Sequence, residues 1–514
     1  MEQWTITRKA SDSRGGMVVS QHYLASEVGA DVLRAGGNAV DAAIATSLAI
    51  GVVEPWMSGL GGGGSMLVAK ATAPVEALFF GMKSPRRLNL EDYPLSGGVG
   101  GDLFSWPAVK NDHNVHGPLS VAVPGLLAGL GESHRRYGTM PWAELVSPAL
   151  NLMKQGVTVD WHTTLKIAAA APQLAAYPDS ANIYLPDGYT PAGQWGGPSP
   201  KLFNPKLVNT LQQVAVDGAS GGYQGELLET ILKDADSLDI PLTRRDFEDY
   251  QVGCMTPLSY RYRDVEVFAV PGQTAGPSLL KVLDDLSKTN FHATYPDQHY
   301  YGQLAESLRR VYAERLHEES ETLSRKAPAC TTHISVADKW GNAVSLTQTL
   351  LSVFGSKVTL PETGLLMNNG IMWFDPVPGK PNSLAPAAFP LTNMCPAIFK
   401  RQDGETVALG ASGGRRILPA VAQFISFLTD FGMSMVDAVH HPRIDVSNTS
   451  GLTLDQRLDN SVVEHLQQSF QVEPAQAMVY PNLFGCPNCA SVKPGQGSEG
   501  LPFVFSPVSA AIGE

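Results

Sequence analysis

Helical and strand patterns alternate along the whole of this chain, and that alternation predicts an α/β or α+β protein built from layered sheets. Two further observations support the class. No internal repeat at solenoid periods is present, and the 50 glycines and 37 prolines are spread along the chain as turn punctuation, not gathered into low-complexity tracts. With 514 residues, 43% of them hydrophobic and 17% charged, there is ample material for a core. Length alone suggests about three domains, with one large domain or two intertwined halves as the other solutions.

The N-terminal "MEQWTITRKASDSRGG" lacks the apolar region of a secretory signal, and "AIATSLAIGVV" (43–53) is too short to span a bilayer. The expectation is a cytoplasmic protein with no membrane partner. Residues 23–55 carry two helical patterns broken by "AGGN", a helix stop followed by a restart. Gly59, Gly61 and Gly64 formally satisfy GxGxxG, but a strand pattern follows where a dinucleotide site needs a helix. A tight, backbone-exposing turn is expected there. Residues 85–120 are loop-rich, and two helices follow the Val123-Pro124-Gly125 break. The region 160–260 is largely helical, 264–272 is a strand, and "GPSLLKVLDDLSK" and "YYGQLAESLRRVYAERLHEES" are helices. The polar stretch 319–330 has the composition of an exposed linker. Beyond a hairpin come strands in "TVALGAS" and "IDVSNTSGLTL" and a helix in "RRILPAVAQFISFLTDFG".

Composition excludes several function classes. Net charge is −12, and no cluster of Lys and Arg interleaved with aromatics is found, which argues against nucleic acid. The five cysteines, Cys254, Cys330, Cys395, Cys486 and Cys489, are odd in number and scattered, unlike a disulfide framework. "CPNC" (486–489) lies in a Pro/Gly-rich, loop-like region with no second CxxC or paired histidines, and His440-His441 show no ligand spacing. Neither a metal nor any other cofactor is expected.

The hairpin carries the chemistry. "THISVAD" and "NAVSLTQTL" flank "KWG". Pairing Asp338 with Asn342 leaves a three-residue loop ending in glycine. That register sets Thr331 opposite Thr349, His333 opposite Thr347 and Ser335 opposite Ser345, all on one face. The other face carries Ile334, Val336, Val344, Leu346 and Leu350, which is core material. One explanation is a half-solvated sheet in which threonine simply favours strands. The other is nucleophilic chemistry. A threonine that becomes a chain N-terminus can use its own α-amine as base, and an α-amine titrates near 8. Such a chain would cut itself: the Thr331 hydroxyl attacks the Cys330 carbonyl, forms an ester, and water releases it.

This stretch resembles the γ-glutamyltranspeptidase family of N-terminal-nucleophile hydrolases, whose small subunit begins "TTH.SV.D..GNAV..T.T". The resemblance extends over nearly the whole chain, through "GGNAVDAAIATSLAIGVVEP", "SGLGGGG", "VPG" with "RYGTMPWAELVSPAL", "PLTNMCP" and "GASGG". It implies a four-layer αββα sandwich cut into residues 1–330 and 331–514, intertwined in one domain, with a homodimer of heterodimers left open. By matching position it implies Thr331 as nucleophile, Thr349 as the hydroxyl supporting it, and Thr392 and Asn393 as a substrate-binding pair. It also implies Gly413 and Gly414 as the glycines whose N–H groups form an oxyanion hole, a role consecutive glycines before a helix can fill.

The charged glutamate-binding arms of that family are replaced. Phe80 stands where an arginine is expected, Trp373 stands where an aspartate is expected, with Asp375 two positions on, and Leu351 replaces an asparagine. Leaving either charge of a glutamyl group desolvated and unpaired would cost several kcal/mol. The reading is therefore an amidohydrolase acting on an amide or related bond of another small acyl substrate. Phe80, Trp373 and Asn369 are candidates to line its pocket, and Lys83, Arg86 or Arg415 to supply a cation. Alternatives stay open: a true γ-glutamyltransferase or glutathione hydrolase, a hydrolase of a C–C bond next to an oxalyl group, and an unprocessed scaffold. Gly410–Gly414 also satisfies GxSxG between a strand and a helix, which with Asp437 and His440 or His441 would make a Ser412 hydrolase.

Overall fold

Two seven-stranded antiparallel sheets stack face to face, with helices on both outer surfaces, in a computed structural model that describes residues 6–100, 104, 106–316, 330–447, 451–480 and 482–514. The expected linker at 319–330 lies, apart from Cys330, outside the described residues. The first sheet runs Ala510–Gly513, Met17–Ser20, Thr332–Ala337, Ala343–Thr349, Gly63–Ala69, Glu76–Phe80, Gly253–Met255. The second runs Ser11–Ser13, Gly497–Leu501, Cys486–Lys493, Thr406–Ser412, Ala397–Arg401, Val265–Ala269, Leu258–Tyr262. Each sheet draws strands from both sides of residue 330. The arrangement is the four-layer αββα sandwich, an α+β fold. Among the described residues no helix is long and apolar enough to cross a membrane.

The hairpin lies at the centre of the first sheet in the register read from the sequence, with His333 opposite Thr347 and Ser335 opposite Ser345. Its loop closes on Gly341, whose φ of 86° is open to glycine at no steric cost. Asp338 fixes the turn: one carboxylate oxygen accepts from the Trp340 and Asn342 N–H groups, the other from the Asn342 side chain and the Ala39 N–H. The last bond ties the hairpin to the first turn of the Ala39–Val53 helix. That helix is apolar almost all round because it is buried between the first sheet and other helices. It starts where expected, after Gly36 (φ 93°), with Asn38 and Asp41 forming a capping box.

Both faces of the hairpin are buried, so the half-solvated alternative does not hold. Ile334, Val336, Val344 and Leu346 pack into the core shared with the Tyr23–Arg34 and Ala39–Val53 helices. The hydroxyl face is pressed against the second sheet. There the Ser335 hydroxyl donates to Asn488 Oδ1 (2.8 Å), the Asn488 side chain donates to the His333 carbonyl (2.8 Å), and the Ser345 hydroxyl donates to the Leu409 carbonyl (2.8 Å). Gly410 leaves room for the His333 ring, which a Cβ at that position would approach within 2.2 Å. The outer face of the second sheet is covered by the Gly276–Ser287, Gln298–Leu316 and Ile417–Thr429 helices.

Two expectations are revised. "CPNC" is no loop: Cys486–Lys493 is a central strand paired on both sides. Its proline sits next to the strand's first residue, where a missing N–H costs least. Cys486 and Cys489 fall on opposite faces, all five cysteines are free, and no cluster fit for a metal exists among the described residues. "IDVSNTSGLTL" divides into two short strands, Ile444–Asp445 and Leu452–Asp455. The GxGxxG run forms the expected close-approach turn, since a Cβ on Gly61 or Gly64 would meet the Leu366 or Thr347 carbonyl at 2.2 or 2.7 Å.

Gly410→Ala should destabilise the fold by about 1–3 kcal/mol, because the new methyl group collides with a ring that has no room to move. Urea unfolding measures it; an unchanged midpoint would show that the two sheets can shift apart at that point.

Candidate active site

Thr331 precedes the first residue of one hairpin strand, and Thr349 ends the other. The Thr331 hydroxyl lies 2.5 Å from the Cys330 carbonyl oxygen and 3.5 Å from Thr349 Oγ1. Thr349 Oγ1 lies 2.7 Å from the same carbonyl oxygen. The Leu351 N–H donates to Thr349 Oγ1 (2.8 Å), which leaves the Thr349 proton to be donated to the Cys330 carbonyl. In return the Cys330 N–H donates to the Leu351 carbonyl (3.3 Å). Two hydroxyls thus converge on the carbonyl of one peptide bond, and both are buried.

The loop behind them is held in unusual backbone. Leu351, Phe354 and Lys357 have φ of 87°, 58° and 66°, a region that costs non-glycine residues of order 1–3 kcal/mol each. Asn369 secures it: its side-chain amide donates to Ser352 Oγ (2.8 Å) and to the Val115 carbonyl (2.7 Å), and its oxygen accepts from the Ser352 N–H (3.1 Å). Lys357 Nζ donates to Ser352 Oγ (3.0 Å) and the Gly355 carbonyl (2.8 Å), and burial pushes its ammonium down to about 8. Asn369 therefore sits under the loop as a brace.

The second sheet supplies the glycines. Because Gly410 lies over the His333 ring, the residues after it are carried toward the Thr331 end of the hairpin. Gly413 and Gly414 have φ of 132° and 61° and lead through a 3-10 turn into the Ile417–Thr429 helix, so their N–H groups open a helical segment without partners inside it. Ser412, the last strand residue, accepts from the Gln21 side chain (2.8 Å). His440 is engaged at both ring nitrogens by the Arg8 N–H and the Val436 carbonyl, and Asp437 bonds Ser434. His440 therefore does not complete a Ser412–His–Asp relay.

The other candidates are dispersed. Thr392 is buried, and its N–H and hydroxyl both donate to the Gln273 carbonyl. Asn393 Nδ2 is buried without a hydrogen-bond partner among the described residues, as is Trp373 Nε1. Trp373 belongs to a buried hydrophobic cluster that also contains Phe79, Trp106 and Leu351. The Arg415 guanidinium lies over the Phe104 and Trp106 rings, 5.4 and 5.3 Å from their centroids. Lys83 Nζ lies 5.7 Å over Phe389, Arg86 pairs with Asp249 at 2.5 Å, and Asp375 pairs with Lys380 at 3.0 Å. Phe80 is not brought to Thr331. Gly64 pairs with both Gln348 and Phe80, so Phe80 shares the helix-facing side with Gln348 while Thr349 points the other way. Its ring fills the space over Gly129. Phe79 takes the face that Phe80 was expected to take.

Sequence reasoning missed a cavity of about 140 Å³ lined by Gln21, Glu54, His162, Lys166, Gly413 and Arg416, among others. Glu54 follows the last residue of the Ala39–Val53 helix and is 1% exposed, and its Oε2 has no hydrogen-bond partner among the described residues. Burial, partly offset by Lys166, pushes its carboxyl up to about 8. Burial likewise holds His162 down to about 4. The Cys330 thiol is pushed up to about 12 by burial. One sequence signal was available: a carboxylate at the C-terminal end of an apolar helix opposes the helix dipole and needs another reason to be there.

Known proteins resemble this chain in sequence and in fold. A family model described as gamma-glutamyltranspeptidase matches residues 25–322 and 316–479. An acylase ACY 1 proenzyme of Pseudomonas sp. (strain SE83) is 30% identical over 96% of this chain and 92% of its own length. A glutathione hydrolase proenzyme of Bacillus subtilis (strain 168) is 27% identical over 88% and 84%. The crystal structure of a cephalosporin acylase from Bacillus halodurans superposes with a TM-score of 0.86 at 22% identity, over all of this chain and 98% of that one, a likeness of fold.

Glu54→Gln tests the buried carboxyl. A group raised from 4.5 to about 8 by folding contributes its full stability below pH 4.5 and loses it as pH rises through 8. The variant should therefore gain on the wild type between pH 5 and 8, by at least about 1 kcal/mol. A difference that stays flat across that range in thermal unfolding would mean that Glu54 is solvated.

Proposed function

Since this chain belongs to the gamma-glutamyltranspeptidase family of hydrolases, we propose that it is a self-processing enzyme whose Thr331, freed as an N-terminus, hydrolyses an amide bond in a small acyl substrate other than a standard γ-glutamyl group. The observation that carries this reading is the convergence of the Thr331 and Thr349 hydroxyls on the Cys330 carbonyl.

In the first step Thr331 Oγ1 bonds to the Cys330 carbonyl carbon, and the C–N bond breaks as the hydroxyl proton passes to the departing nitrogen. Thr349 donates to the carbonyl oxygen as it gains charge, which is where a fixed donor does most for the rate. Water then hydrolyses the ester, giving a Cys330 carboxylate and a free Thr331 amine, with residues 1–330 and 331–514 as the two chains. In turnover the amine takes the proton from Oγ1 as the hydroxyl attacks the substrate carbonyl. The Gly413 and Gly414 N–H groups receive the oxyanion, the amine product leaves with a proton, and water releases the acyl group.

The apolar character of the expected glutamate contacts supports a non-glutamyl acyl group. Trp373 lies in an aromatic cluster and Phe80 in the core, so neither position offers a charge to a zwitterion. The name of the Pseudomonas relative, an acylase, is in keeping with this. The name of the Bacillus subtilis relative keeps glutathione hydrolysis as the alternative.

Denaturing mass spectrometry should find two chains with a junction at Cys330/Thr331. Thr331→Ala should remain one uncut, inactive chain, and a cut Thr331→Ala protein would sink the assignment. Thr349→Val, nearly isosteric, should slow self-cleavage by roughly 10²–10³-fold while the protein stays folded; cleavage at the wild-type rate would remove Thr349 from the mechanism.

A further inference from the structure

The loop after the hairpin grips residue 330 through one of its own residues. The Leu351 carbonyl accepts from the Cys330 N–H (3.3 Å), and the Leu351 N–H donates to Thr349 Oγ1 (2.8 Å), which itself lies 2.7 Å from the Cys330 carbonyl oxygen. The residue before the bond to be cut is thus held at its N–H directly and at its carbonyl through Thr349. Leu351 does this with φ of 87°, a conformation that a leucine keeps only when its surroundings impose it.

The two peptide planes that meet at Leu351 are both held by Asn369. In the plane before it, the Leu350 carbonyl accepts from the Asn369 N–H (3.2 Å); in the plane after it, the Ser352 N–H donates to Asn369 Oδ1 (3.1 Å). Ser352 is fixed again through its side chain. Its Oγ accepts from Asn369 Nδ2 (2.8 Å) and Lys357 Nζ (3.0 Å) and donates to the Gly355 carbonyl (3.1 Å), the full capacity of a hydroxyl. The Lys357 ammonium also donates to the Gly355 carbonyl (2.8 Å).

Lysine is a poor local fit at this position. Lys357 is 4% exposed, forms no ion pair among the described residues, and has φ of 66°. A buried charge and a left-handed backbone are both unfavourable, and a glycine would avoid both. What the side chain gains is confined to its own turn, where it folds back and ties Ser352 to Gly355.

We propose that Lys357 is a positioning residue for self-cleavage: by tying Ser352 to Gly355 it keeps Leu351 in the backbone that restrains the Cys330 N–H and aims Thr349 at the Cys330 carbonyl. The inference rests on the reading of Thr331 as the residue that cuts the chain. Lys357 acts through Leu351 and Thr349 and takes no part in the bond changes.

The test is the rate at which freshly translated chains cut themselves in a cell-free system, followed by fragment mass. Lys357→Met should slow cleavage about tenfold, but less than about threefold when Thr349 is already valine, because residues that act through one another do not add. Equal slowing in the two backgrounds, or cleavage of Lys357→Met at the wild-type rate, would overturn the proposal. Should Lys357→Met fail to fold, Ser352→Ala, which removes the hydroxyl that the ammonium holds, is read in the same two backgrounds with the same expectation. Hydrogen exchange supplies a second readout on uncut Thr331→Ala protein. There Lys357→Met should speed exchange of the Leu351 and Ser352 amides about tenfold and leave the two hairpin strands unchanged; unaltered exchange at both amides would count against the proposal as decisively. An uncut wild-type chain would overturn the proposed function and the role in cleavage with it, whereas a chain that cuts without regard to Lys357 overturns this inference alone.

Discussion

A hairpin buried on both faces must satisfy every polar group it carries from inside the protein, and most of this structure follows from that requirement. One face meets it by being apolar and lying on two helices. The other is lined with hydroxyls and a histidine, and it meets the requirement by hydrogen bonding across to a second sheet. Ser335, Ser345 and the His333 carbonyl each find a partner on the Thr406–Ser412 or Cys486–Lys493 strand. Those bonds fix the sliding position of one sheet on the other. Buried polar networks of this kind specify a register where an apolar interface would tolerate several.

That fixed register makes the site. Thr331 and Thr349 stand at the end of the first sheet's hairpin, and Gly413 and Gly414 follow the Thr406–Ser412 strand of the second. Nothing in the local chain joins the two segments, and the His333 ring seated on Gly410 fixes how their strands lie on one another. The strained 351–357 loop adds the finer control. Its Leu351 N–H occupies Thr349 as an acceptor and so orients the Thr349 proton toward the Cys330 carbonyl. Strain at Leu351, Phe354 and Lys357 is tolerated because Asn369 and Lys357 over-determine the loop with buried hydrogen bonds.

Two buried regions of the molecule differ in character. The Trp373 side is aromatic, with the Arg415 guanidinium stacked on Phe104 and Trp106. The Glu54 side holds buried polar groups with unmet hydrogen bonds and two cations outside any ion pair among the described residues.

Much of this was legible in the sequence. Period-two alternation and the Asp338–Asn342 closure determined the hairpin, its register and the grouping of Thr331 with Thr349, because strand pairing follows from local turn geometry. The helix stop at Gly36 and the strand after the glycine run were readable for the same reason. The tertiary structure decided what depends on residues distant in sequence. It turned "CPNC" from a loop into a central strand, since pairing on both sides outweighs local Pro/Gly composition. It sent Phe80 to the core, because the rows Thr349–Gly63 and Gln348–Gly64–Phe80 fall on opposite faces of one sheet. It also brought Glu54, Lys166 and Arg416, from three separate segments, to one cavity, and no spacing along the chain encodes that meeting.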